Sequence, residues 1–242
     1  MTDSHRSIAR ITGALFIIAT VTVLVSTAFL GSASSQDYLT KMAANQGQVA
    51  AGVLLRFIGA FASAAIAISL YPILRRYRQG LALGAVGFRI IEATFYTLGA
   101  VSVLLLLTLS QEFVKTGASN PAYFSQSGTL LKALDDWAGL AAVFAFYVGG
   151  LLYYRVFYQT RLIPRWLSAW GIGAVILGAV AALLILFGAT ETMSTTQIVL
   201  NIPIGLQEMV LAVWLIAKGF NPSVLASDTS VHGEGISETA AG

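Results

Sequence analysis

Six long apolar stretches separated by short polar ones set the pattern of this chain. They are Ile11–Leu30, Val49–Leu74, Leu81–Leu109, Leu134–Tyr158, Trp166–Phe187 and Gln197–Ala217. Each reaches the roughly 20 mostly apolar residues that carry an α-helix across a bilayer. Length and apolarity decide these assignments, and periodicity adds little. The first and fifth stretches hold no charge. The second is broken only by Arg56, and the third carries Arg89 and Glu92. The fourth opens on Asp135 and Asp136, and the sixth carries Glu208. The pattern predicts an all-α fold, a polytopic membrane bundle of six transmembrane helices in one domain, residues 1–220. Residues 221–242 are rich in Ser, Thr, Gly and Ala and read as a disordered cytoplasmic tail.

The polar segments refine this picture. Ser34–Gln48 is polar enough to leave the membrane, and Asp37–Met42 reads as a short surface helix. Gln111–Lys132 is the longest outer connection, with a turn at Asn120-Pro121 and a helical lead-in at Thr129–Leu134. Asn221-Pro222 ends the sixth stretch. Arg6 and Arg10 before the first stretch, and GSASS after it, resemble a signal peptide. Its apolar core exceeds the roughly 7–15 residues of such a segment, so it reads as a retained span.

Lys and Arg orient the spans. Nine bases fall on one set of connections: Arg6, Arg10, Arg75, Arg76, Arg78, Arg155, Arg161, Arg165 and Lys218. Three fall on the other: Lys41, Lys115 and Lys132. This asymmetry places both termini in the cytoplasm, and an even span count also requires them to share a side. Tyr71, Tyr77, Tyr153, Tyr154, Trp166, Trp170 and Trp214 then fall near the cytoplasmic boundary, a level that amphipathic rings favour.

Composition excludes several chemistries. The chain is 57% hydrophobic and 10% charged, where a soluble domain carries about 25% charged residues. Mean hydropathy is +0.78. The net charge of +3 comes from small loop clusters without an extended basic face, so no nucleic-acid partner is expected. No cysteine is present, which excludes disulfides, thiolate catalysis and iron–sulfur clusters. The two histidines, His5 and His232, lie in the tails. Paired-histidine haem ligation, Ser–His hydrolysis and His/Glu metalloprotease sites therefore fail. No span holds a lysine for a retinal Schiff base. No cofactor is expected.

The polar residues within spans are the candidate site. Arg89 and Glu92 are three apart and share one helix face, about 4.5 Å apart along the axis, and Tyr96 extends that face. In the sixth span Asn201, Gly205, Glu208 and Ala212 form one stripe, with Gln207 beside it and Pro203 one turn before Glu208. In the second, Arg56, Gly59, Ala60, Ser63 and Ala67 share a face whose small residues admit a close neighbour. Ala174, Gly178 and Ala182 repeat that pattern in the fifth. Glu92 and Glu208 each lie roughly 16 Å deep at 1.5 Å per residue, near the midplane. Similar depths in the third member of each half are compatible with an inverted repeat. Ions at such depth are costly, so Arg89 is expected to pair with Glu208 or Glu92, and Arg56 with an acid of the outer half. Asp135 and Asp136 are read as capping a helix N-terminus.

These residues also carry a resemblance. Leu55-Arg56, Phe88-Arg89-Ile90-Ile91-Glu92-Ala93, Ile163-Pro164-Arg165, and Glu208 ahead of Leu215-Ile216-Ala217-Lys218-Gly219 resemble the bacterial domain-of-unknown-function 4386 family over roughly residues 8–220. The resemblance implies six spans and brings no assigned reaction, ligand or cofactor. Relatives often carry a histidine near the start of the fourth span, where this chain has Asp135-Asp136-Trp137.

Three readings of function stay open. The leading one is binding or transport of a small anionic or lipid-like ligand, with Arg56 and Arg89 holding the anion, Glu92 and Glu208 balancing charge or carrying a proton, and Tyr96, Asn201 and Gln207 lining the cluster. The second is a structural or sensory membrane subunit whose charges are structural ion pairs. The third is an intramembrane enzyme on a lipid or isoprenoid, with Glu92 and Glu208 as acid and base. The expected setting is the bacterial plasma membrane, with membrane lipids as partners.

Overall fold

The structure, a computed structural model, describes residues 3–35, 37–117, 119–192 and 194–226. Every regular element among them is helical: α1 (Asp3–Phe29), a 3-10 turn (Gly31–Ser34), α2 (Tyr38–Ala44), α3 (Gln46–Lys115), α4 (Pro121–Thr160), α5 (Arg165–Leu186) and α6 (Thr195–Ala217). Five of these, α1 and α3 to α6, are long and apolar enough to cross a membrane. In hydrocarbon the backbone must satisfy its own N–H and C=O groups, which helices do within one segment. The protein is therefore an all-helical, membrane-embedded chain.

At 70 residues, α3 would extend about 105 Å if straight, far beyond the roughly 30 Å hydrocarbon core. It is not straight. Arg78 has non-helical angles (φ −150°, ψ 79°), and two helices meet there across a kink. Side chains on either side of Arg78 meet in reverse order: Gln46 bonds Gln111, and Ser63 bonds Arg89. The two limbs, 46–77 and 79–115, thus run antiparallel where they touch.

Two expectations are corrected. The connection expected at Gln111–Lys132 is mostly helix, since α3 continues to Lys115 and α4 begins at Pro121. Loss of apolarity marks where a helix leaves hydrocarbon, and the helix itself continues. Asp135 and Asp136 accordingly lie deep inside α4 and cap nothing. The Asn120-Pro121 turn is present, with Asn120 at φ 54°. The short helix α2 follows Asp37, whose side chain makes no capping bond. At the other end, residues 222–226 are helical, and 227–242, with His232, lie outside the described residues.

The chain divides into two compact units. Among the described residues, unit one comprises those within 3–17, 65–88 and 147–226, and unit two those within 18–64 and 89–146. In unit one, α1 approaches α6 closely: a Cβ on Gly13 would lie 2.7 Å from the Ala212 carbonyl oxygen. Thr12 and Ser69 share a hydrogen bond at 2.8 Å. Tyr153, Tyr154, Phe157 and Phe220 are fully buried there. In unit two, Leu30, Met42, Val49, Val53, Ala100, Val103, Leu106 and Leu107 make an apolar core. Gly59 sits against α1, where a Cβ would lie 2.9 Å from Thr22 Oγ1. The Ser102 hydroxyl donates to the Leu131 carbonyl at 2.6 Å and ties limb 79–115 to α4.

Candidate functional site

Arg89 is the largest fully buried side chain, 1% exposed. Helical spacing puts it and Glu92 on one face, and the antiparallel limb brings Ser63 to that face. Arg89 Nη1 donates to Ser63 Oγ at 2.8 Å and to Glu92 Oε2 at 3.0 Å. Ser63 Oγ donates to Glu92 Oε1 at 2.7 Å. The three side chains close a ring of hydrogen bonds whose formal charge is zero. Phe146 covers the guanidinium, its ring centroid 4.5 Å from Cζ. Glu92 and Ser63 are buried too. A charge in hydrocarbon is tolerated only when paired and hydrogen-bonded, and this ring gives each ion an opposite charge and hydrogen bonds within unit two.

Arg56 meets Asp135 in the same unit. One guanidinium nitrogen donates to both carboxylate oxygens, at 2.7 and 2.9 Å. Gly99 makes the space, since a Cβ there would lie 2.6 Å from Asp135 Oδ1. This pair is less buried than the Arg89 ring, with side chains 28% and 27% exposed. Tyr96 lies one turn beyond Glu92 and is half-buried. Away from the spans, Tyr38 of α2 fits against Gly128, and Lys132 Nζ lies 3.3 Å from its ring centroid. Burial pushes the Tyr38 phenol above its ordinary range.

The remaining candidates, Asn201, Gln207 and Glu208, belong to unit one. Two of them are bound by tyrosines of α4. The Tyr147 hydroxyl donates to Asn201 Oδ1, and the Tyr154 hydroxyl donates to Gln207 Oε1. Gln207 Nε2 donates onward to the Leu167 carbonyl of α5 at 3.1 Å. Asn201 Nδ2 returns to the Gln197 carbonyl at 2.9 Å. Both tyrosine rings rest on glycines of α5: a Cβ on Gly171 would lie 2.6 Å from Tyr154, and one on Gly178 would lie 2.5 Å from Tyr147. Glu208 is half-buried and within electrostatic reach of Tyr147. α6 runs unbroken through Pro203.

The sequence reading missed Tyr147 and treated Tyr154 as an interfacial aromatic. The available signal was a matched spacing, since Tyr147 and Tyr154 are seven apart and so are Gly171 and Gly178. Ser63 was read as a packing residue, and its hydroxyl completes the Arg89 ring. Among the described residues no cluster of three or more His, Asp or Glu could hold a metal ion.

The family described as Domain of unknown function (DUF4386) matches residues 11–219, and the chain belongs to it. No curated protein and no solved structure matches the chain.

Proposed function

We propose that this member of the DUF4386 family is a non-catalytic subunit of the bacterial plasma membrane, crossing it six times with both termini cytoplasmic, and that its interior charges are structural ion pairs. The reversal of α3 at Arg78 supports six crossings, since each limb is long enough for one. The distribution of Lys and Arg supports the orientation. The closed ring of Arg89, Glu92 and Ser63 carries the functional reading. With Arg89 1% exposed and Phe146 over its guanidinium, a bound anion would have to displace Glu92 or Ser63.

A second reading is favoured by the partial exposure of Arg56 and Tyr96. It is binding or transport of a small anionic or lipid-like ligand at Arg56, Arg89, Glu92 and Tyr96 of unit two. Native mass spectrometry of gently purified wild type and Arg89→Gln, with thermal melts of both, separates the two. The structural reading expects no adduct that depends on Arg89 and a much lower melting point for the variant. A small molecule retained by wild type and lost from a folded variant overturns it in favour of the second.

A further inference from the structure

The turn after α4 and the turn after α6 line an open cavity of about 650 Å³ within unit one. Its lining holds three cations, Arg161, Arg165 and Lys218, and no acid. None of the three makes an ion pair among the described residues. All three are exposed, while the floor, Leu162, Ile163 and Phe220, is buried and apolar. The walls are fixed to each other. The Asn221 amide donates to the Leu162 carbonyl at 2.8 Å, and Asn221 Nδ2 donates to the Arg161 carbonyl at 3.4 Å. Arg161 itself stands at φ 59°, in the left-handed region that favours glycine, so the turn holds a side chain where a bare backbone would be easier.

A cluster of bases on this side of the membrane follows from the orientation rule alone. That rule does not require a cavity, an apolar floor, or cations left without acids. Trp214 lines the same cavity, and Trp166 stacks on Trp170 beside it at the start of α5. Amphipathic rings of this kind sit at the level of lipid headgroups. Phosphate is the anion that arginine's planar donor fork matches, and the apolar floor suits a glycerol backbone and the first acyl carbons.

We propose that this cavity is a binding site for the phosphate headgroup of an anionic phospholipid, held by Arg161, Arg165 and Lys218. The site shares no residue with the Arg89 ring and does not depend on which side of the membrane it faces.

The test is native mass spectrometry on the full chain in detergent, with phosphatidylglycerol, phosphatidylcholine or glycerol 1-phosphate added singly. Wild type should retain phosphatidylglycerol in preference to phosphatidylcholine. Each base removed should weaken that retention about fivefold, the factor for roughly one headgroup-level contact. The variants are Arg161→Gln, Arg165→Gln and Lys218→Gln, singly and combined, with Arg155→Gln as a base outside the lining. Melting curves check that each variant is folded, and if the triple variant is not, the single ones carry the result. Equal retention by the lining variants and Arg155→Gln overturns the proposal, because charge alone would then explain binding. Equal retention of the two lipids overturns it as well. Binding of glycerol 1-phosphate without phosphatidylglycerol would make the ligand a soluble phosphate and overturn the lipid assignment.

Discussion

The two units satisfy buried polar groups in different ways. Unit two uses charge: Arg89 with Glu92 and Ser63, and Arg56 with Asp135. Around its tyrosines unit one uses neutral hydrogen bonds, Tyr147 with Asn201 and Tyr154 with Gln207, with the half-buried Glu208 also within electrostatic reach of Tyr147. The neutral solution needs space, because a tyrosine ring lies between two helices. Gly171 and Gly178 provide it. The ionic solution needs cancellation, because either ion left alone would be costly. The two should therefore fail differently. Removing half of an ionic pair strands a charge, whereas removing half of a neutral one strands a hydrogen-bond group.

The sharpest break is Arg89→Leu, which leaves the Glu92 carboxylate buried without its cation. Stability should fall by about 3–5 kcal/mol. Arg89→Leu combined with Glu92→Leu should recover most of that loss, because a well-packed apolar replacement of a buried pair is often close to neutral. Thermal or denaturant unfolding in detergent reads both. A single variant as stable as wild type would show that Glu92 finds another way to be satisfied, and the ring would no longer explain the burial.

Next in size are the glycine seats. Gly171→Ala puts a methyl 2.6 Å from the ring of a fully buried Tyr154. Overpacking of this kind costs about 1–3 kcal/mol. Gly173→Ala is the control, since nothing lies within 4 Å of its Cβ position. If the two variants melt together, the tyrosine ring is not held against α5 as described.

The charged positions were legible in the sequence because an ion in an apolar run is conspicuous and its cost is known. The i, i+3 spacing of Arg89 and Glu92 already placed them on one face. Ser63 was not legible as their third partner, since serine is common at close helix contacts for its size alone. Tyr147 and Tyr154 were hidden for a related reason. A tyrosine in an apolar helix reads as one more large ring, and its hydroxyl gains meaning only from the amide opposite. The true extent of α4 was hidden because residues 121–133 are too polar to count as membrane, and so Asp135 looked like a helix start. Membrane apolarity reports the bilayer and not the hydrogen-bond ladder.

A smaller effect tests the neutral solution directly. Tyr154→Phe removes the donor to Gln207 Oε1 and keeps the ring on Gly171. Interhelical hydrogen bonds in membranes average about 0.6 kcal/mol by double-mutant cycle. The cycle of Tyr154→Phe with Gln207→Leu should give a coupling of that order, well below the Arg89–Glu92 coupling. A coupling as large as the ionic one would erase the distinction between the units.

An effect of similarly small size belongs to Arg56 and Asp135, and it tests whether charge or burial sets the scale. The pair is ionic like Arg89 and Glu92, with bonds of 2.7 and 2.9 Å, yet both side chains are over a quarter exposed. Water at the exposed quarter would screen the attraction and hydrate whichever partner is left. Asp135→Asn should therefore cost only about 0.2–1 kcal/mol, the range of solvent-exposed pairs. Its cost should also shrink as salt is raised, whereas that of Arg89→Leu should not. Unfolding of both variants at low and high salt makes the comparison. If Asp135→Asn proves as damaging as Arg89→Leu and equally blind to salt, burial does not set the scale in unit two. The contrast between the units would then rest on charge alone.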